Sequence, residues 1–326
     1  PTPFLMLPPP PISTPADCRR QRQMCIRDRR WSVDIDRRAL RRAADRAAQS
    51  YDQAAIVAAE VGSRLLERLE LIRLDPRVVV DVGCGTGRTT EALLKRYRRA
   101  RTIGIDLALQ PLRMGQRRGD WRRRIRSVCG DAEALPLADA CCDLLFSNLM
   151  LYWCPDPRAA LAEFQRILRP GGVLMFATLG QDTLKELRDS WVSIEPLAHT
   201  LDFGDMHALG DALLRGGWAE PVMDMETLTV NYRRPADLLR DLRETGETNC
   251  RSDRRRSLTG AGRLQAMTAR YSDVYAHDDR VPATWEIVYG HAWHGAGSQT
   301  SAQPDGGSEV RIAIEKVRAT VPRRTS

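Results

Sequence analysis

Three consecutive valines, Val78-Val79-Val80, run straight into Asp81-Val82-Gly83-Cys84-Gly85-Thr86-Gly87, and that segment runs straight into a helix-forming stretch ending near Tyr97. A short β-branched run fits a strand buried on both faces. The glycines let the chain turn tightly and bring bare backbone up to a ligand. Strand, glycine bend and helix in this order start a β-α alternation that continues downstream. Strands are expected over 102–106, 125–129, 142–147 and 173–178, and helices over 109–116, 157–168 and 182–191. The turn Arg169-Pro170-Gly171-Gly172 is expected to stop the helix before it. Such alternation demands a mostly parallel sheet with helices on both faces.

The bend excludes two common phosphate binders. A dinucleotide loop reads G-x-G-x-x-G, and here Arg88 stands at the sixth position from Gly83. A Walker loop ends in G-K-[ST], which is absent. Asp81, two residues before the first glycine, repels a pyrophosphate and attracts a cationic amino or sulfonium group.

Asp81-Val82-Gly83-Cys84-Gly85-Thr86-Gly87 resembles the first motif of class I S-adenosylmethionine methyltransferases, which implies a Rossmann-like fold with a seven-stranded sheet. The resemblance implies three further elements, each present in order. Ile103-Gly104-Ile105-Asp106 supplies an acid for the ribose hydroxyls, followed by Leu107. Cys129-Gly130-Asp131-Ala132 supplies one for the adenine. Phe146-Ser147-Asn148 ends the strand where methyl transfer takes place. The implied cofactor set is Asp81, Gly83, Cys84, Gly85, Gly87, Asp106, Leu107, Asp131, Ala132 and Ser147.

More of the chain, about residues 38–293, resembles the malonyl-acyl-carrier-protein O-methyltransferase family of biotin synthesis. The resemblance is carried by Ala47-Ala48-Gln49-Ser50-Tyr51-Asp52, by Thr178-Leu179-Gly180-Gln181-Asp182 and the residues up to Arg188, by Asp205-Met206-His207, by Pro221-Val222-Met223 and by Gly246-Glu247-Thr248-Asn249. It implies methyl transfer to the free carboxylate of a malonyl thioester on acyl-carrier protein or coenzyme A. A carboxylate is ionised at neutral pH, with a reference pKa near ~4, so the reaction needs positioning and exclusion of water, not a base. Arg188 and Tyr51 are the candidates for holding the acceptor. Asn148 and Tyr152 are expected on its side of the site, and Trp153 in the core.

Other readings of the same features are a methyltransferase for another small acid or a quinone precursor, an arginine hydroxylase of complex I assembly, and a non-catalytic S-adenosylmethionine-binding protein. A ring acceptor generally needs a base, and residues 1–198 hold no histidine.

Composition decides the remaining points. The net charge is +8, but residues 1–50 carry eleven Arg against five Asp, which leaves the body nearly neutral. Of its 50 basic residues 47 are Arg, a bias that points away from a nucleic-acid partner. No apolar run reaches the roughly 18–20 residues of a membrane span. The eight cysteines (Cys18, Cys25, Cys84, Cys129, Cys141, Cys142, Cys154 and Cys250) are too sparse for a disulfide scaffold, so a reducing, cytoplasmic setting is expected. No metal site is expected, because His291 and His294 lie three apart on a strand and face opposite sides.

Residues 1–32, with seven of the nineteen prolines in the first fifteen positions, are expected to be disordered or foreign to the natural protein. Residues 33–234 with 283–295 form the expected methyltransferase domain. Residues 235–282 form a helical cap whose Arg251, Arg254, Arg255 and Arg256 are placed to meet an acidic carrier, and 296–326 form a mobile tail.

Overall fold

The computed structural model describes residues 34–295, apart from 120–122 and 196. The expectations for 1–32 and 296–326 lie outside the described residues, save that 33 is undescribed as well.

Two helices open the described chain, α1 (Arg37–Ala54) and α2 (Ile56–Arg68), the second running into a 3-10 turn at Leu69–Leu71. Asp36 starts α1 by accepting from Ala39 N at 3.0 Å, and Ala43, Ala47 and Ala48 form its buried stripe. The alternating unit follows in order: β1 (Val78–Val82), α3 (Arg88–Arg96), β2 (Arg101–Asp106), α4 (Leu109–Gly115), β3 (Arg126–Cys129), β4 (Cys142–Asn148), α5 (Pro157–Ile167), β5 (Leu168–Leu179), α6 (Lys185–Val192), α7 (Met206–Arg215) and β6 (Trp218–Tyr232). Then come α8 (Pro235–Glu244), α9 (Ala261–Tyr275) and β7 (Val281–His294).

The seven strands lie in the order β3-β2-β1-β4-β5-β7-β6. The first five are parallel, and β7 runs antiparallel between β5 and β6. Side chains alternate across the sheet. Val79, Leu144, Phe146 and Met175 enter one core with α2 and α6. Val80, Val82, Leu145 and Phe176 enter the other with α5 and α7.

Several boundaries differ from expectation. The Arg169-Pro170-Gly171-Gly172 segment belongs to β5, because Leu168 already pairs with Cys142 and the ladder resumes, after a shift, at Val173 opposite Leu144. Helix α6 starts at Lys185, not 182, because Leu184 N is held by Thr284 O at 2.7 Å with φ of 54°. The domain boundary expected at 282/283 falls inside β7, whose ladder with β6 begins at Val281 opposite Tyr232. The helices between these strands are not set apart: Leu238, Leu242, Met267 and Tyr271 are buried in the same core as Phe146 and Trp285.

Candidate functional site

Strand order reverses between β1 and β4, and there an open α/β sheet binds ligands beyond its strand ends. A crevice of about 160 Å³ opens at that point under α1. Its floor is the glycine bend. Gly83 N and Cys84 N both donate to Ile105 O, at 2.8 and 3.0 Å, which ties the bend to β2. Gly83, Gly85 and Gly87 all have positive φ, 76°, 53° and 81°. A Cβ on Gly83 would lie 2.4 Å from Met150 Cβ, whereas a Cβ on Gly85 would meet nothing within 4 Å.

Asp106 closes one side. Its Oδ2 accepts from Gly85 N at 2.9 Å and its Oδ1 from Ala108 N at 2.8 Å. Each oxygen keeps a further lone pair for a ligand hydroxyl. Burial raises its pKa in spite of these donors. Leu107, Asp131 and Ala132 also stand in the wall. Arg37 bridges Asp131 and Glu133, and Arg41 Nε donates to Leu107 O at 2.9 Å, so α1 is fastened over this half of the crevice.

The opposite half holds Tyr51, Asn148, Tyr152 and Glu247. Asn148 Nδ2 donates to Ala58 O at 3.0 Å, and its buried Oδ1 has no partner. Burial pushes the Tyr51 hydroxyl's pKa well up. Trp153 stands in this wall beside Tyr152, ring centroids 4.9 Å apart, and packs, half-buried, against the small core cluster of Ile35, Ala43 and Cys250.

Five expected site residues lie elsewhere. Asp81 is completely buried behind the bend, on the Val79 face of β1. Its Oδ2 accepts from Thr89 and Thr90 of α3, at 3.0 and 2.6 Å, and its Oδ1 has no partner. Burial pushes its carboxyl up to about 6. Ser147 is also buried, donating to Val82 O at 3.0 Å. Cys84 turns its sulfur toward Gly104, where a Cβ would stand 2.9 Å away. Gly87 caps α3 outside the wall. Arg188 sits half-buried on α6, where it donates to Gln181 O at 2.7 Å and does not reach the crevice.

Of the expected basic face, Arg256 is exposed and the other three arginines are engaged internally. Arg251 pairs with Asp202 and Asp253, Arg254 with Asp36, and Arg255 with Glu195.

Arg118, which joins two of the quoted segments, had no readable local signal. Thr86 donates to Asp52 Oδ1 at 2.5 Å, and Arg118 pairs with that same carboxylate while donating to Thr86 O at 2.6 Å. Glu247 was legible only as part of a family segment. The residues present fit S-adenosylmethionine. Gly85 leaves open space over the bend, Asp106 offers acceptor lone pairs, and the unpaired Oδ1 of Asn148 in the wall suits a cationic ligand.

Comparison with known proteins agrees with this geometry. A family model described as a methyltransferase domain matches residues 80–176, from β1 to β5. The chain is 44% identical to the malonyl-[acyl-carrier protein] O-methyltransferase of Halorhodospira halophila over 87% of its own length and 96% of that protein's. It is 44% identical to the protein of the same name from a Methylovorus species, over 85% and 95%. Among solved structures, the YcgJ protein of Bacillus subtilis has the same fold, with a TM-score of 0.52 at 16% identity, covering 72% of this chain and 98% of that one.

Proposed function

The chain belongs to the malonyl-[acyl-carrier protein] O-methyltransferase family, and from that premise we propose how its crevice performs the methyl transfer. The protein transfers a methyl group from S-adenosylmethionine to the free carboxylate of malonyl-acyl-carrier protein, giving the methyl ester that primes biotin synthesis. The observation that carries this reading is a match over nearly the whole of the relatives' length.

When bound, S-adenosylmethionine would supply a methyl group on a positively charged sulfur, and its transfer to a carboxylate that is already ionised needs no proton moved. The glycine bend would receive it with backbone alone, and Asp106 would accept from the ribose hydroxyls. Leu107, Asp131 and Ala132 would surround the adenine. Tyr51 and Asn148 face the acceptor. The chain's work is to hold the reacting atoms at roughly 3–3.5 Å and keep water out. Helix α1, lying over the crevice, does the second. Arg188, outside the wall, has no catalytic part in this reading, and the Tyr51 hydroxyl is an uncharged donor available to the acceptor's carboxylate. A cytoplasmic setting follows from the same reading. Among the described residues no helix is long and apolar enough to cross a membrane.

Incubation of the purified protein with methyl-labelled S-adenosylmethionine and malonyl-acyl-carrier protein tests it. Label is expected in a base-labile ester on the carrier-bound malonyl group. Cofactor binding without transfer, or transfer only to some other acceptor, refutes it. Malonyl-coenzyme A run in parallel separates the two thioester handles.

A further inference from the structure

The acceptor half of the crevice poses an electrostatic problem. Its ligand is an anion, yet the two arginines in the wall, Arg37 and Arg41, are engaged at the other end. The ionisable group that does face the acceptor is an acid, Glu247. An ionised Glu247 would repel the substrate it helps to enclose.

The fold fixes Glu247 there. Helix α8 ends at Glu244, whose carbonyl accepts from Ser50 Oγ of α1 at 2.8 Å. Gly246 then turns the chain with φ of 77° while packed on α1; a Cβ there would lie 3.3 Å from both Ala43 O and Ala47 Cβ. Three residues on, Asn249 Nδ2 donates to Ala198 O at 2.8 Å. Glu247 is thereby held where three cavities meet. One is the cofactor crevice. The second is lined by Leu184, Leu187, Phe203 and Trp285, and the third by Val57, Tyr232 and Trp285.

The surroundings supply almost nothing for a carboxylate. Tyr152 Oη lies 3.4 Å from Glu247 Oε1. Among the described residues no Lys, Arg or His is within ion-pair distance. The other titratable groups around it are Tyr51 on α1, with Asp52 and Asp106 beyond, Tyr232 and Asp241 at the third cavity, and His199 across the second. His199 is itself taken up by Glu195 at 2.6 Å and stacked on Trp191 at 3.7 Å.

We propose that Glu247 works as a neutral acid, donating a hydrogen bond to the malonyl carboxylate and so turning the attacking oxygen toward the sulfonium. The inference rests on the malonyl methyltransferase reading and deepens it. A protonated carboxyl has one O–H donor, and a charged acceptor makes that bond stronger than a neutral one. Burial pushes Glu247 up to about 7, with only the Tyr152 contact opposing, so the donor form is populated at neutral pH. An apolar setting that keeps a carboxylic acid protonated so that it can donate is an established enzymatic device. The proton stays on Glu247 throughout. Methylation converts the acceptor into a neutral ester, a poorer partner for that O–H, and the product is released more readily than the substrate.

The test uses the full chain, malonyl-acyl-carrier protein and saturating S-adenosylmethionine between about pH 6 and pH 9, where the malonyl carboxylate stays ionised and only enzyme groups titrate. For the unaltered protein kcat/KM for the acceptor is expected to fall on the alkaline side, approaching about tenfold per pH unit. Glu247→Gln keeps an N–H donor that does not titrate. It is expected to start several-fold lower at pH 6 and then hold its value, overtaking the unaltered protein by pH 9. Glu247→Ala is expected to be low at every pH. Binding of S-adenosylhomocysteine, measured by calorimetry, is expected to be unchanged in both variants, which separates the effect from misfolding. An alkaline limb that persists in Glu247→Gln overturns the proposal. So does a Glu247→Gln enzyme no better than Glu247→Ala while both bind S-adenosylhomocysteine normally. If the unaltered protein methylates no malonyl thioester at any pH, the activity itself is refuted and the inference falls with it.

Discussion

Gly83 and Gly85 share a positive φ and a place in one motif, but the structure gives them different work. At Gly83 a side chain would collide with Met150 Cβ and Cγ, both at 2.4 Å, atoms fixed close to the backbone. At Gly85 the same atom would enter open space. Both replacements carry the left-handed backbone penalty of roughly 1–2 kcal/mol. Only Gly83→Ala adds overpacking, about 1–3 kcal/mol more. Gly83→Ala is therefore expected to melt several degrees below Gly85→Ala in the ligand-free protein. Gly85→Ala is expected to lose S-adenosylhomocysteine affinity out of proportion to its small change in melting temperature, because the space it fills belongs to the cofactor. Thermal melts and calorimetry on the two variants check this, and equal melting temperatures would contradict the packing argument.

At the scale of elements, the site is assembled by docking α1 onto the β1–α3 corner, and Arg118 is the fastener. Its guanidinium reaches Asp52 at the end of α1, Thr86 O in the bend at 2.6 Å and Glu91 on α3 at 3.2 Å. Three acceptors in different directions suit the planar fork of Arg and not the single ammonium of Lys. Loss of these partly buried, charge-assisted bonds is expected to cost about 2 kcal/mol, or roughly 4–8 °C in melting temperature. Arg118→Ala is expected to show that loss together with a roughly tenfold weaker cofactor affinity, and Arg118→Lys to recover less than half of either. A Lys variant that behaves like the unaltered protein in melts and calorimetry would remove Arg118 from this role. Arg118 also shows where sequence reading stops. The strand, bend and Asp106 were legible because they are local and ordered along the chain. Arg118 is one of 47 arginines, and nothing in its neighbourhood marks it before the chain folds. Glu247 is in the same position, 196 residues from Tyr51 in sequence and beside it in the wall. Asp81 and Ser147 lie outside the wall for another reason. A motif gives a residue's place along a strand, but its depth and its partners decide whether it reaches the strand end. Asp81 is taken up by Thr89 and Thr90 of α3, and Ser147 by Val82 O, while Val82 and Asn148, one residue further along each strand, line the crevice.

For the whole molecule, Asp81 makes stability and cofactor binding oppose each other through pH. Its folded carboxyl lies near 6 against an ordinary 3.8, because burial outweighs the two threonine donors. The folded state therefore binds more protons than the unfolded one between these values. Stability associated with Asp81 is present below pH 4 and is lost as pH rises through about 6. Two pKa units correspond to about 3 kcal/mol. Other carboxylates have the opposite slope: Arg166 holds Glu163 low and Arg234 holds Asp237 low, so their contribution appears as pH rises. The difference between two proteins that share those groups isolates Asp81. Asn in its place still accepts from Thr89 and Thr90, but leaves an amide N–H₂ where Oδ1 now lacks a partner, at a cost of about 1–2 kcal/mol. Asp81→Asn is accordingly expected to match or fall slightly below the unaltered protein at pH 4.5 and to melt progressively higher than it as pH approaches 7.5. The same anion behind the bend favours a cationic ligand in front of it, so saturating S-adenosylhomocysteine, which keeps the ammonium group, is expected to raise the melting temperature of the unaltered protein more than that of the variant. Melts at both pH values with and without the ligand read all four terms. A gap between the proteins that does not change with pH would mean that Asp81 is ionised at no cost inside the fold, and a ligand shift equal in both would mean that its charge is not felt in the crevice.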